Sequence, residues 1–119
     1  MLRGGTLLGL VVGLLCPLAQ AQDALVVHVA QAVARLEGFG PKHTLATRRR
    51  NPLNISPRGV VLTYPSLEAG WCAAYLAIDK KLARGLTLHQ IVRELGATDP
   101  QYAWKLGRLT GLPIDRRLR

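Results

Sequence analysis

Between residues 23 and 37 the apolar side chains recur three and four positions apart. Leu25, Val29, Ala32 and Leu36 form one row, and Val26, Ala30 and Val33 form the row beside it. His28, Gln31 and Arg35 fall on the opposite side. Asp23 is a suitable N-cap and Gly38 a suitable stop, so the spacing predicts a helix from about Asp23 to Glu37. A second helix opens at Ser66 as N-cap, with Glu68 in the first turn and Leu67, Trp71, Ala74, Ile78 and Leu82 directed at the core. Gly70 admits the close approach of another backbone, and Lys80, Lys81 and Arg84 suit the negative end of that helix. Thr87-Leu88-His89-Gln90 has the form of a capping box for a third, short helix with Leu88, Ile91, Val92 and Leu95 as its apolar face and Gly96 as its end. Asp99-Pro100 reads as N-cap and first residue of a fourth helix, with Tyr102, Leu106 and Leu109 as the buried row and Gly111 as the stop.

From Phe39 to Ser66 the helical period vanishes. Gly40-Pro41, Asn51-Pro52 and Ser56-Pro57 punctuate a long loop, a feature that in a small domain is functional or disordered. Inside it Val60-Val61-Leu62-Thr63-Tyr64 has strand propensity and follows a turn-like Pro57-Arg58-Gly59. The expected fold class is therefore mainly α: about four helices with a long loop and a short β-strand or hairpin.

Residues 1–21 stand apart from this pattern. Arg3 gives a positive start, Leu7 to Cys16 an unbroken apolar run, and Ala19-Gln20-Ala21 a small-x-small cleavage signal. We read 1–21 as an export signal and 22–119 as the folded domain, with an uncleaved membrane anchor as the other reading of the same residues. The export reading implies a periplasmic or secreted protein. It removes Cys16 and leaves Cys72 as a single thiol between Trp71 and Ala73, expected as a small buried hydrophobe.

The whole chain has 119 residues, 16 Lys+Arg against 7 Asp+Glu, and 49% apolar residues. That apolar fraction is incompatible with a disordered polycation, and the length allows one domain at most. Without Arg3 the charge is 15 basic against 7 acidic side chains. In an exported protein such an excess meets cell-wall polymers and anionic membrane faces, not nucleic acid. His28, His43 and His89 are not spaced as ligands on one face, so no metal and no cofactor is expected.

Glu37 breaks the pattern. It lies four residues after Val33, seven after Ala30 and eleven after Val26, so it extends an apolar ridge with a carboxyl group at the negative end of a helix. A carboxylic acid half out of water beside a long loop is the arrangement a glycosidase general acid requires. A frayed helix end with Glu37 turned into solvent is the alternative that periodicity leaves open.

The order of motifs is also familiar. Leu36-Glu37-Gly38-Phe39, Arg50-Asn51-Pro52-Leu53-Asn54-Ile55, Tyr64-Pro65-Ser66-Leu67-Glu68-Ala69-Gly70-Trp71, Leu86-Thr87-Leu88 and the stretch from Asp99-Pro100-Gln101-Tyr102 to Thr110-Gly111-Leu112-Pro113 follow one another. Together they resemble small bacterial and phage proteins of the lysozyme-like superfamily, close to lytic transglycosylases. The resemblance implies that Glu37 is the catalytic acid and that the loop shapes a sugar cleft. Arg50 stands where that loop has its first Asn, and Leu53 where it has Gly, a residue that tolerates positive φ as leucine does not.

What the resemblance implies is a peptidoglycan glycan-strand cleaving enzyme, a lytic transglycosylase or lysozyme-type glycosidase, with Glu37 as general acid and base. Asn51 and Asn54 would bond acetamido or hydroxyl groups, their other reading being turn formers beside Pro52. Tyr64 and Tyr102 would stack on sugar, although Tyr102 also fits the core. Trp71 reads as core, Arg48-Arg49-Arg50 either as contacts to carboxylates or as a solvated face, and Glu68 as second-carboxylate candidate or dipole-stabilising residue. The competing function is a non-cleaving lysozyme-like module that holds cell wall or a partner in the cell-envelope machinery. A monomer is expected in either case.

Overall fold

The computed structural model describes residues 23–119, and the segment read as an export signal lies outside the described residues. Five helices follow in order: α1 (Ala24–Leu36), α2 (Leu45–Arg48), α3 (Leu67–Ala83), α4 (Leu88–Glu94) and α5 (Tyr102–Thr110), with a 3-10 turn at Pro57–Gly59 between α2 and α3. The fold is mainly α, and no strand occurs among the described residues. None of their helices is long and apolar enough to cross a membrane.

α1 is the centre. Asp23 accepts a hydrogen bond from the Val26 amide at 3.1 Å and so caps it. The helix packs against α3 and against α5, and α4 bridges those two. Two apolar rows on α1 are thus required, and Val26, Val29, Ala30 and Val33 are all buried. Ala74, Ile78 and Leu82 of α3, with Leu88 and Ile91 of α4 and Leu106 of α5, complete the same core. The caps predicted at Ser66 and Thr87 are made: Ser66 Oγ accepts from the Ala69 amide at 3.0 Å, and both bonds of the Thr87–Gln90 capping box are present. Cys72 is buried on α3, as expected, but it is not a free thiol.

Four expectations need correction. α5 begins at Tyr102, because Asp99 closes a turn ahead of it, accepting from the Gln101 amide at 2.9 Å while its carbonyl accepts from the Tyr102 amide at 3.0 Å. Its buried row is Ala103, Leu106 and Thr110, the face that meets α1 and α4, and this leaves Leu109 exposed. Leu67, in the opening turn of α3, is exposed as well.

The fourth correction is the strand. Residues 60–64 run without a ladder. The Leu62 amide donates to the Ile55 carbonyl at 3.0 Å and the Tyr64 amide to the Arg49 carbonyl at 2.9 Å. The carbonyls that a neighbouring strand would have satisfied are taken by side chains instead. Arg49 donates to Val61, Asn51 to Leu62 and Arg50 to Tyr64. The loop also holds the four-residue α2, whose cap Thr44 accepts from the Thr47 amide.

Leu53 is 2% exposed and belongs to the core. Apart from glycines, the positive-φ residues of this loop are Arg50 (φ 50°), Asn54 (φ 55°) and Arg58 (φ 54°), so no glycine conformation is asked of the leucine.

Candidate active site at the end of the first helix

α1 ends in a Schellman motif. The Phe39 amide donates to the Ala34 carbonyl at 2.9 Å and the Gly38 amide to the Arg35 carbonyl at 3.2 Å, with Gly38 left-handed at φ 81°. Glu37 is the last cap residue, and its own amide donates to Val33 at 2.9 Å. The frayed end is thereby excluded: the backbone on both sides of Glu37 is fixed, and its side chain is half-buried.

The Tyr102 hydroxyl donates to Glu37 Oε2 at 2.7 Å. The two residues are 65 positions apart, and they meet because the start of α5 packs on the end of α1. Burial, and then the Glu37 carboxylate that accepts its proton, push the Tyr102 phenol far above its ordinary range, so it stays a donor. No other hydrogen bond to the Glu37 side chain occurs among the described residues.

The seven acidic side chains of the chain all lie in the described part. Asp23 and Asp79 share Arg119, Glu94 takes Lys81 and Arg84, Asp99 takes Lys105, and Asp115 faces His89 at 3.4 Å. The hydrogen bonds from Arg84 and Lys81 hold the Glu94 carboxyl at about 2, well below its ordinary value. Glu37 and Glu68 alone have no basic partner among the described residues. Glu68 is exposed in the first turn of α3, where the helix dipole accounts for it. Glu37 is the half-buried one.

An aromatic row follows directly from the Schellman turn. Phe39 meets Trp71 edge-on, with ring centroids 5.4 Å apart, and Trp71 stacks on Tyr75 at 5.5 Å. Trp71 is partly buried and packs on the core, as does Tyr75. The four-residue spacing of Trp71 and Tyr75 was the available signal for this row, and apolar periodicity alone did not single it out.

The other residues considered for sugar binding are placed in the loop. Asn51 has no accessible surface. Its Nδ2 donates to the Ile55 carbonyl at 3.0 Å and the Leu62 carbonyl at 2.9 Å, and its Oδ1 accepts from the Ile55 amide at 2.8 Å. It holds the loop and has no surface left with which to touch a ligand. Asn54 is half-buried and left-handed, with a buried Oδ1 that lacks a hydrogen-bond partner. Tyr64 is half-buried, and burial raises its phenol. Arg49 and Arg50 are loop staples, while Arg48 is exposed. Thus Glu37 and Tyr102 are brought together, and no hydrogen bond among the described residues links Asn51, Asn54 or Tyr64 to them.

α3 is pressed against this loop at Gly70. A Cβ there would lie 2.0 Å from the Arg50 carbonyl oxygen and 3.2 Å from Pro52 Cδ. The close approach expected of Gly70 is therefore real, and it seats the loop on the helix that carries Trp71. Among the described residues no cluster of three His, Cys, Asp or Glu could hold a metal ion. No protein-family model matches the chain, and no curated protein or solved structure matches it.

Proposed function

We propose that this protein is an exported lysozyme-like domain that cleaves the glycan strands of peptidoglycan, with Glu37 as its general acid and base. The observation that supports this most is the state of Glu37: a half-buried carboxyl group on a rigid helix end, held by a phenol instead of a cation, while four of the seven acids are taken up in ion pairs with Lys or Arg. Tyr102 acts as a positioning residue that fixes one carboxyl oxygen and leaves the other for chemistry.

In the reaction, protonated Glu37 gives its proton to the glycosidic oxygen as the bond to the anomeric carbon breaks. The acetamido group of the muramic residue stabilises the developing cation. Glu37, now a carboxylate, removes the proton of the 6-hydroxyl, whose oxygen closes a 1,6-anhydro ring. Glycosidases with two carboxylates set them at defined separations. The exposed position of Glu68 and the ion pairs of the other acids favour this single-acid route. The loop contributes shape, through the Asn51 scaffold, and Asn54, Tyr64 and Tyr102 are the members of the expected set that keep accessible surface.

The test is incubation of purified protein and its Glu37→Gln variant with isolated sacculi, followed by chromatography of the soluble fraction. Release of anhydromuropeptides by the parent and not by the variant is the expected result. Equal binding of both to sacculi with no soluble product overturns cleavage and leaves the non-cleaving cell-wall module.

A further inference from the structure

The outer face of α5 has no role in the site just described. Trp104 is 55% exposed, unusual for so large an apolar side chain, and Leu109, about 140° further round the same helix, is exposed on the other flank. The Arg108 guanidinium lies over the Trp104 ring, 5.1 Å from its centroid. Along one side runs an open groove of about 470 Å³ walled by Gly107, Leu112, Pro113 and Ile114. On the other side Leu109 borders a hollow shared with His28 and Arg35. Neither Arg108 nor Arg35 has an acidic partner among the described residues, and the nearby Asp99 is neutralised by Lys105 at 2.9 Å.

From this face we infer a docking surface for an anionic lipid bilayer, with Trp104 and the apolar rim of the adjoining groove entering the headgroup boundary and Arg108 meeting lipid phosphates. Three observations select this occupant. An exposed indole beside an arginine is a side-chain pair that lies stably at a bilayer interface, and the protein's cationic excess supplies the long-range attraction. A second copy of the chain would bring the same positive charge and meet repulsion. A sugar would need the open face of the indole, and one face is already covered by Arg108. The inference is independent of Glu37 and of glycan cleavage.

The experiment uses the full chain, with vesicles of phosphatidylglycerol and, in parallel, of phosphatidylcholine. The readout is Trp104 emission, obtained as the difference between the parent and Trp104→Phe, together with quenching by brominated lipid. This local readout separates the face of α5 from the apolar residues 7–16 of the chain. The expected result is a blue shift and quenching of Trp104 with phosphatidylglycerol, reversed by salt and absent with phosphatidylcholine. Arg108→Gln is expected to weaken the anionic binding about fivefold, in line with one basic residue at a charged surface. Trp104 emission that stays unshifted with phosphatidylglycerol vesicles overturns the proposal. So does an unshifted Trp104 in a chain that binds sacculi through Trp104 and Arg108, which would assign the face to cell-wall polymer.

Discussion

Replacing Asn51 with alanine removes three hydrogen bonds at once, at 3.0, 2.9 and 2.8 Å, from a side chain with no accessible surface. Each such bond contributes about 1 kcal/mol net, and more where the abandoned partner stays buried. The Ile55 amide and the carbonyls of Ile55 and Leu62 lose these partners together. The expected cost is about 3 kcal/mol, or a fall in Tm of about 12–24 °C for a domain of this size. Urea unfolding followed by far-ultraviolet circular dichroism measures it. Asn51→Asp sharpens the test, because it keeps an acceptor for the Ile55 amide but has no N–H for either carbonyl. It should recover little of the loss. A midpoint for Asn51→Ala within error of the parent would refute the reasoning, since it would mean that the loop is not held through this side chain.

Two further outcomes are expected. Gly70→Ala would ordinarily favour a helix interior, yet a methyl group there meets the Arg50 carbonyl at 2.0 Å, so the variant should lose about 2 kcal/mol or more in the same unfolding assay. The phenols of Tyr64, Tyr75 and Tyr102 are all raised above 10, each chiefly by burial, so absorbance at the tyrosinate band should show no group half-ionised at pH 10 in the folded protein. Because the unfolded chain loses these protons first, stability should fall as pH rises through about 10 and beyond, and a tyrosine titrating normally in the native state would contradict the packing described.

Much of the helical frame was legible along the chain because its signals are local. Asp23, Ser66 and Thr87 cap the helices they precede, and Gly38 and Gly111 stop α1 and α5, since a cap needs only neighbours three residues away. Gly70 was recognisable for the same reason: a glycine in an otherwise good helix asks for a backbone beside it. The candidate acid was also visible, as a carboxyl group continuing an apolar ridge.

What depended on distant partners was not. The buried face of α5 is set by the two helices it touches, so Ala103 and Thr110 went inside and Leu109 stayed out. Residues 60–64 have strand propensity but found side chains of Arg49, Asn51 and Arg50 in place of a second strand, and propensity carries no information on that choice. The pairing of Tyr102 with Glu37, across 65 residues, exists only because α5 folds back on α1. Hydrophobic period and capping are written within a turn or two of each residue, whereas which polar groups meet is decided by helices that come together only when the core closes.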